Sequence, residues 1–191
     1  AGDRARQALS CTSDLHDCDL LTVSGAMGAD VLDQLDIEPA QTISLTGDRS
    51  SELTTAEDTR LAIQAFVDHS VDLIVFAGGD GTARDILDAM QQQGSEIPVI
   101  GIPAGVKIHS AVYAITPTSA GELLQLILAG APMSLHEAEV MDLDEEAFRE
   151  GRVVARCYGY LNVPVDDARM QVTKEGGINH AEIALQDIAE E

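Results

Sequence analysis

The chain has 191 residues, 45% of them hydrophobic, and a formal net charge of −22 from 33 acidic and 11 basic side chains. That length and apolar content suit one packed domain, or one domain and the start of another. No apolar run nears the eighteen or so residues of a membrane helix, and no basic stripe exists to release counterions, so membrane and nucleic acid are excluded as expected partners.

The expected setting is soluble and cytoplasmic. Three cysteines, Cys11, Cys18 and Cys157, are odd in number and fit a reducing compartment. Cys11, His16 and Cys18, with Asp14 and Asp17 between them, match no common zinc spacing and are expected to form a helix-to-strand loop. The acid is spread along the whole chain, and only Lys107 and Lys174 are lysines. Such self-repulsion costs stability at low ionic strength and is screened at molar salt, where the Debye length is ~3 Å. Lysine-poor acidic surfaces with few aromatics resemble those of salt-in halophiles; an ordinary acidic protein is the alternative.

In chain order the pattern predicts a helix over 3–10, a strand at about 19–23, a helix over 27–35, a strand over 41–45, a helix over 55–68 and a strand over 72–76. A helix over 83–93, a strand over 98–102 and a helix over 119–129 follow. This alternation predicts the α/β class, a Rossmann-like doubly wound parallel sheet with helices on both faces. Thr54 with Glu57, and Ser119 with Glu122, have capping-box spacing. Leu123, Leu124, Ile127 and Leu128 form one apolar stripe, read as core packing. After Pro132 the character changes: 134–142 and 152–165 look extended, 169–174 adds a further strand, and 179–191 forms an amphipathic helix. The expected division is therefore 1–132 and 133–191.

The densest signal lies at 71–84. The apolar run Leu73-Ile74-Val75-Phe76 has the length and branching of a buried parallel strand. It leads into Gly78-Gly79-Asp80-Gly81-Thr82, where glycines let the backbone approach a ligand. The amides of Gly81, Thr82 and Ala83 are candidates for the unpaired first-turn N–H groups that bind phosphate. A carboxylate repels phosphate, so Asp80 suggests chemistry: a base or orienting group for a hydroxyl, or a carboxylate facing Mg²⁺. The bland reading is a glycine-rich turn with a solvated Asp. Arg84 either steadies transferred charge or pairs with a surface acid.

A second loop follows within 97–117, where Pro103-Ala104-Gly105 ends another apolar strand. Lys107, His109 and Ser110 come next, all able to donate to phosphate or sugar oxygens. A lysine in a chain that avoids lysine suggests a ligand-facing role. His109 binds phosphate or ribose, or packs under the loop; Ser110 caps the next segment or binds substrate. Ligands in open α/β sheets bind beyond the carboxyl ends of the strands, so both loops are expected to converge on one crevice. Thr55, Asp58 and Thr59 open a helix; capping is sufficient to explain them, and ligand contact is the alternative. Asp142, Asp144 and Glu145 read as a solvated turn or a metal cluster. Tyr160 and Asn162 are candidates for a nucleotide pocket.

These loops carry a resemblance. Gly78 to Thr82 resembles the GGDGT signature shared by NAD kinases, diacylglycerol and sphingosine kinases and, more distantly, phosphofructokinases. The GTxND-type motif of the lipid kinases is absent, and Pro103 stands where the main NAD kinase group has an Asn-containing loop. GGDGTARDI at 78–86, GVKIHSAVYA at 105–114, Thr54 to Thr59, Val140 to Glu145 and Tyr158 to Pro164 are together similar to the ATP-NAD kinase-like family of the AcoX type. Its members begin with a strand and an NPxAG-type loop and continue further, so the chain reads as an internal fragment. The resemblance implies an α/β nucleotide-binding kinase domain at 1–132 and the incomplete start of a β-rich second domain at 133–191.

It also implies phosphoryl transfer from ATP or polyphosphate to the 2′-hydroxyl of NAD, making NADP, with Mg²⁺ or another divalent cation. Asp80 is then the catalytic residue, and Gly78, Gly79, Gly81, Thr82, Arg84, Gly105, Lys107, His109 and Ser110 bind nucleotide or phosphate. No metal ligand is assigned. Partners would be small nucleotides and further copies of the chain in a homo-oligomer. A kinase of another hydroxyl acceptor and a non-catalytic nucleotide-binding regulator are the alternatives.

Overall fold

In a computed structural model, which describes residues 1–13, 15–45, 54–143 and 155–166, the predicted alternation is present with shifted boundaries. Helix α1 (Gly2–Leu9), strand β1 (Leu21–Val23), helix α2 (Ala29–Asp33) and strand β2 (Gln41–Ile43) come first. Helix α3 (Ala56–Asp68), strand β3 (Ile74–Gly78), helix α4 (Asp80–Gln93), strand β4 (Val99–Pro103) and helix α5 (Pro117–Leu128) follow. Strands β5 (Ser134–Leu143) and β6 (Ala155–Val165) end the described fold. The expected strand at 169–174 and helix at 179–191, with Asp144, Glu145 and Lys174, lie outside the described residues.

The strands pair two by two, giving a mixed α/β architecture. β1 lies parallel to β2, and β3 parallel to β4 with Ile74 opposite Val99 and Gly78 opposite Pro103. β5 and β6, expected only to be extended, pair antiparallel. Beyond β4 the chain comes back alongside it. The Gly101 N–H donates to the Val112 carbonyl, and the Ala114 N–H donates to the Gly101 carbonyl, both at 2.9 Å. Gly101 has to be bare there, because a Cβ would sit 2.5 Å from a ring carbon of Tyr113.

One core joins these parts. On α4 the residues Ala83, Ile86, Leu87 and Met90 recur at helical spacing and are buried. They meet Val99, Ile100 and Ile102 of β4, Leu123 of α5, and Ala138, Val140, Leu161 and Val163 of the β5–β6 hairpin. A smaller cluster of Leu15, Leu32, Ile37 and Leu124 packs beside Leu73 and Val75. Helices α1 and α5 cross at Gly121, where a Cβ would fall 2.0 Å from the Ala8 carbonyl oxygen. Among the described residues no helix is long and apolar enough to cross a membrane.

Three helix starts differ from the sequence reading. The cap of α3 is Thr55, not Thr54: its Oγ1 accepts from the Asp58 N–H at 3.3 Å, and its own N–H donates to Asp58 Oδ2 at 2.9 Å. Helix α5 starts before Ser119. Thr116 Oγ1 accepts from the Ser119 N–H at 3.0 Å, and Pro117, preset in φ and lacking an N–H, takes the first position. Helix α4 starts at Asp80 instead of 83, because extended Gly79 (φ −127, ψ −171) ends the strand and caps the helix at once.

Candidate functional site

The two loops leave from neighbouring strand ends, and the Ala104 N–H donates to the Gly78 carbonyl at 2.9 Å. A Cβ on Gly105 would come within 3.2 Å of Gly79 Cα, so the loops touch glycine to glycine. A Cβ on Gly78 would lie 2.4 Å from Thr82 Oγ1, which folds back beneath the turn. At Gly81 a Cβ would meet nothing within 4 Å. The chain's own packing does not demand a glycine there, and the first turn of α4 is left bare on that side. One expectation is corrected: the Thr82 and Ala83 amides are not free, since both donate to the Gly79 carbonyl, at 2.9 and 3.1 Å. Starting the helix early moves the open amides towards its first residues.

Asp80 ties the loops together. Its Oδ2 accepts from the His109 backbone N–H at 2.9 Å and from His109 Nδ1 at 3.0 Å. Its Oδ1 accepts from the Ser110 N–H at 2.9 Å and from the Ser110 hydroxyl at 2.7 Å. Two carboxylate oxygens offer about four acceptor sites, and four donors of this chain fill them. The side chain is only 11% exposed. The bland expectation of a solvated Asp does not hold.

Ser110 extends the network to a third segment. Its hydroxyl is fully buried, accepts from the Met141 N–H at 3.0 Å and lies 2.9 Å from the Met141 carbonyl. It carries one proton, and the short 2.7 Å approach to a charged acceptor directs that proton to Asp80. Tyr113 braces the turn from below. Its hydroxyl donates to the Gly79 carbonyl at 2.6 Å, and its ring meets Phe76 edge-on, with centroids 5.4 Å apart. Burial, and then the nearby Asp80 charge, push the Tyr113 phenol far above its ordinary value, so it stays a donor. Tyr113→Phe should cost about 1 kcal/mol, since the Gly79 carbonyl keeps its helical donors. A urea midpoint equal to that of the wild type would refute this bond's contribution.

Of the two roles open to Arg84, the structure shows the pairing with an acid. It pairs with Asp142 at 3.2 Å and lies 4.9 Å from the centroid of the Tyr158 ring. A β-bulge aims that ring: Val140 opposes Gly159 while Met141 opposes Cys157, leaving Tyr158 as the extra residue. Of the acidic cluster expected near 142–145, Asp142 is thus committed to a guanidinium. Lys107 is exposed in the left-handed region, at φ 59, with no hydrogen bond or ion pair among the described residues. A non-glycine residue in that region is uncommon, and Asp36 and Ser70 share it. Thr55, Asp58 and Thr59 serve the start of α3, and Asn162 donates to the Glu96 carbonyl at 3.2 Å. Tyr160 is 53% exposed on the hairpin. No group of three or more His, Cys, Asp or Glu that could hold a metal occurs among the described residues, Cys11, His16 and Cys18 included.

The structure therefore gathers Asp80, His109 and Ser110 and sets Gly79 against Gly105, while Arg84 is engaged by Asp142 and the Tyr158 ring. Sequence reasoning missed Tyr113, Tyr158 and the backbone of Met141. A signal existed for the first two. The chain has three tyrosines, and the scarcity that drew attention to Lys107 applies equally to them.

Against known families, residues 7–131 match the ATP-NAD kinase N-terminal domain. No curated protein and no solved structure matches the chain. The matched stretch contains both loops and ends before Met141.

Proposed function

We propose that this chain, which belongs to the ATP-NAD kinase family, transfers a phosphoryl group from ATP or polyphosphate to the 2′-hydroxyl of NAD, making NADP. The family is one of kinases. The finer assignment is supported above all by one observation: a glycine turn and a second loop, on adjacent parallel strand ends, are locked together through the Asp80 carboxylate. Phosphoryl transfer asks little covalent chemistry of a protein and much positioning, which such a cross-braced pair of loops supplies.

In this reading Asp80 stands at the reacting centre. The backbone at Gly78, Gly79, Gly81, Thr82 and Gly105 borders the phosphates, and Lys107, unpaired among the described residues, meets their charge. Arg84 holds the β5–β6 hairpin to α4 through Asp142. The described residues do not fit a protein-built Mg²⁺ site: no acidic set gathers, and both Asp80 oxygens are occupied. A divalent cation would accompany the phosphates of the donor.

We further infer that the two parallel pairs belong to one doubly wound sheet, because Leu73 and Val75 pack on the cluster that Leu20 also joins. The β5–β6 hairpin would open a β-rich second domain, in keeping with a family match that stops at residue 131. A soluble cytoplasmic homo-oligomer suited to high salt, with no nucleic-acid partner, completes the proposal.

Pro103, at the end of β4, favours a second reading in which the acceptor is another hydroxyl compound. One assay separates them. Full-length protein in molar KCl with ATP and Mg²⁺ is expected to convert NAD to NADP. ATP turnover that appears only with a different hydroxyl acceptor would replace NAD as substrate. Tight ATP binding with no transfer to any acceptor would leave a regulator.

A further inference from the structure

We propose that the turn after β1, Ser24 to Gly28, is a second phosphate site, and that it holds a phosphate group already carried by the acceptor. This rests on the phosphotransferase reading and narrows the acceptor to hydroxyl compounds that bear phosphate.

The turn is built like the one that carries Asp80. Strand β1 runs into Ser24-Gly25-Ala26-Met27-Gly28, and α2 starts at once. A Cβ on Gly28 would overlap the Thr22 hydroxyl oxygen, as a Cβ on Gly78 would overlap that of Thr82. Gly25 is bare for another reason. It lies in the left-handed region at φ 67, and a Cβ there would meet nothing within 4 Å. Glycine in that conformation turns successive N–H groups to one side, the backbone arrangement that receives anions. The Gly25 and Ala26 amides open the short 3₁₀ turn Gly25–Met27 and have no acceptor within it. Both residues are exposed.

The observation that points to a ligand is Thr22. It is 7% exposed, and its hydroxyl has no hydrogen-bond partner among the described residues. An unpaired hydroxyl in such a position is costly and calls for a reason. It is not sealed in, since no described side-chain N or O is both fully covered and without a partner. It lies against Gly28, so its open side belongs to the turn. The Ser24 hydroxyl caps no amide either. Two hydroxyls and two amides, all able to donate, thus belong to one short turn. Exposed Asp30, in the first turn of α2, opposes an anion. The site therefore suits a phosphate delivered within a larger molecule better than the free ion.

Its place in the sheet assigns it to the acceptor. Leu20, just before β1, and Leu73, just before β3, pack on the same cluster beside Val75. Among the described residues none of β2 or β4 joins it, so β1 and β3 are the inner strands. The chain runs outward from β1 to β2 and, after α3, outward again from β3 to β4. Such a reversal is the switch point where open α/β sheets take ligands, and the turns of Ser24 and Asp80 stand on its two sides. The Ser24 N–H, donating to the Ile43 carbonyl at 2.9 Å, pins its turn to that edge. The donor phosphates occupy the turn of Asp80, which leaves the turn of Ser24 to the other substrate.

The test uses Thr22→Val in the full-length protein, in molar KCl. Valine keeps the shape, suits a strand and removes only the hydroxyl. The urea midpoint should equal or exceed that of the wild type, because no bond within the protein is lost. Binding of NAD, the phosphate-bearing probe, should weaken about tenfold or more, with ATP binding within about twofold. KM for NAD should rise likewise, with kcat within about threefold. Unchanged NAD binding, or equal losses for NAD and ATP, overturns the proposal and leaves the kinase reading standing. A lowered urea midpoint also overturns it, since the hydroxyl would then have had a partner inside the fold. If another compound proves to be the acceptor, the same comparison is made with it, and an acceptor without phosphate overturns the proposal. A wild-type protein that transfers phosphate to no hydroxyl removes the kinase reading and the proposal together.

Discussion

Asp80→Asn should lower kcat by about 1,000-fold or more and stability by about 2–4 kcal/mol. Both losses follow from one mismatch. Each Asp80 oxygen accepts from a backbone N–H, that of His109 on one side and that of Ser110 on the other. An asparagine amide, in either orientation, sets its NH₂ group against one of them. The smallest available change therefore places donor against donor in a nearly buried position. The second loop must move, and the imidazole and the glycine turn lose their relation. Steady-state kinetics beside a denaturant titration will report the two losses separately. Activity within tenfold of the wild type would remove Asp80 from the centre of the site, whatever the stability.

Gly121→Ala should destabilise the fold by about 3 kcal/mol, at the upper end for overpacking, with no change in kcat per folded molecule. In isolation the substitution favours a helix by about 1 kcal/mol. Sterics dominate here because the obstructing atoms are backbone. The new Cβ would fall 2.0 Å from the Ala8 carbonyl oxygen and 2.9 Å from its carbon, and no rotamer relieves that. Helix α1 would have to leave α5, exposing Ala8 and breaking the bond from the Thr12 hydroxyl to the Gly121 carbonyl. A thermal midpoint equal to or above that of the wild type would show that α1 does not dock there.

Much of this was legible in the sequence, for local reasons. An apolar run followed by GGDGT encodes strand, turn and helix within twelve residues or so, and the strand–helix order put β3 beside β4. The helix starts were misread by one to three residues, because turn chemistry is redundant over such distances. Thr54 and Thr55 both precede an acid at the right spacing, and only the folded backbone chooses between them. The site was harder. That Asp80 and His109 would converge followed from strand ends, whereas the saturation of Asp80 by four donors depends on how a loop closes. The partner of Arg84, Asp142, lies fifty-eight positions away, and the Tyr158 ring beside it is placed by a one-residue bulge. No local pattern carries that information.

The buried hydroxyl of Ser110 has a consequence for how the protein can be divided. Its partners come from the first turn of α4 and from Met141 of β5, so the bonds around it cross the boundary at residue 131 where the family match ends. Cut there, the α/β part keeps both loops and loses the amide that secures one of them. The hairpin is thus half of a joint, and the unit that folds as a site extends past the unit that repeats across the family. Amide exchange at Ser110 would then require the joint to open, and its protection would follow the unfolding of the core instead of the fraying of a loop.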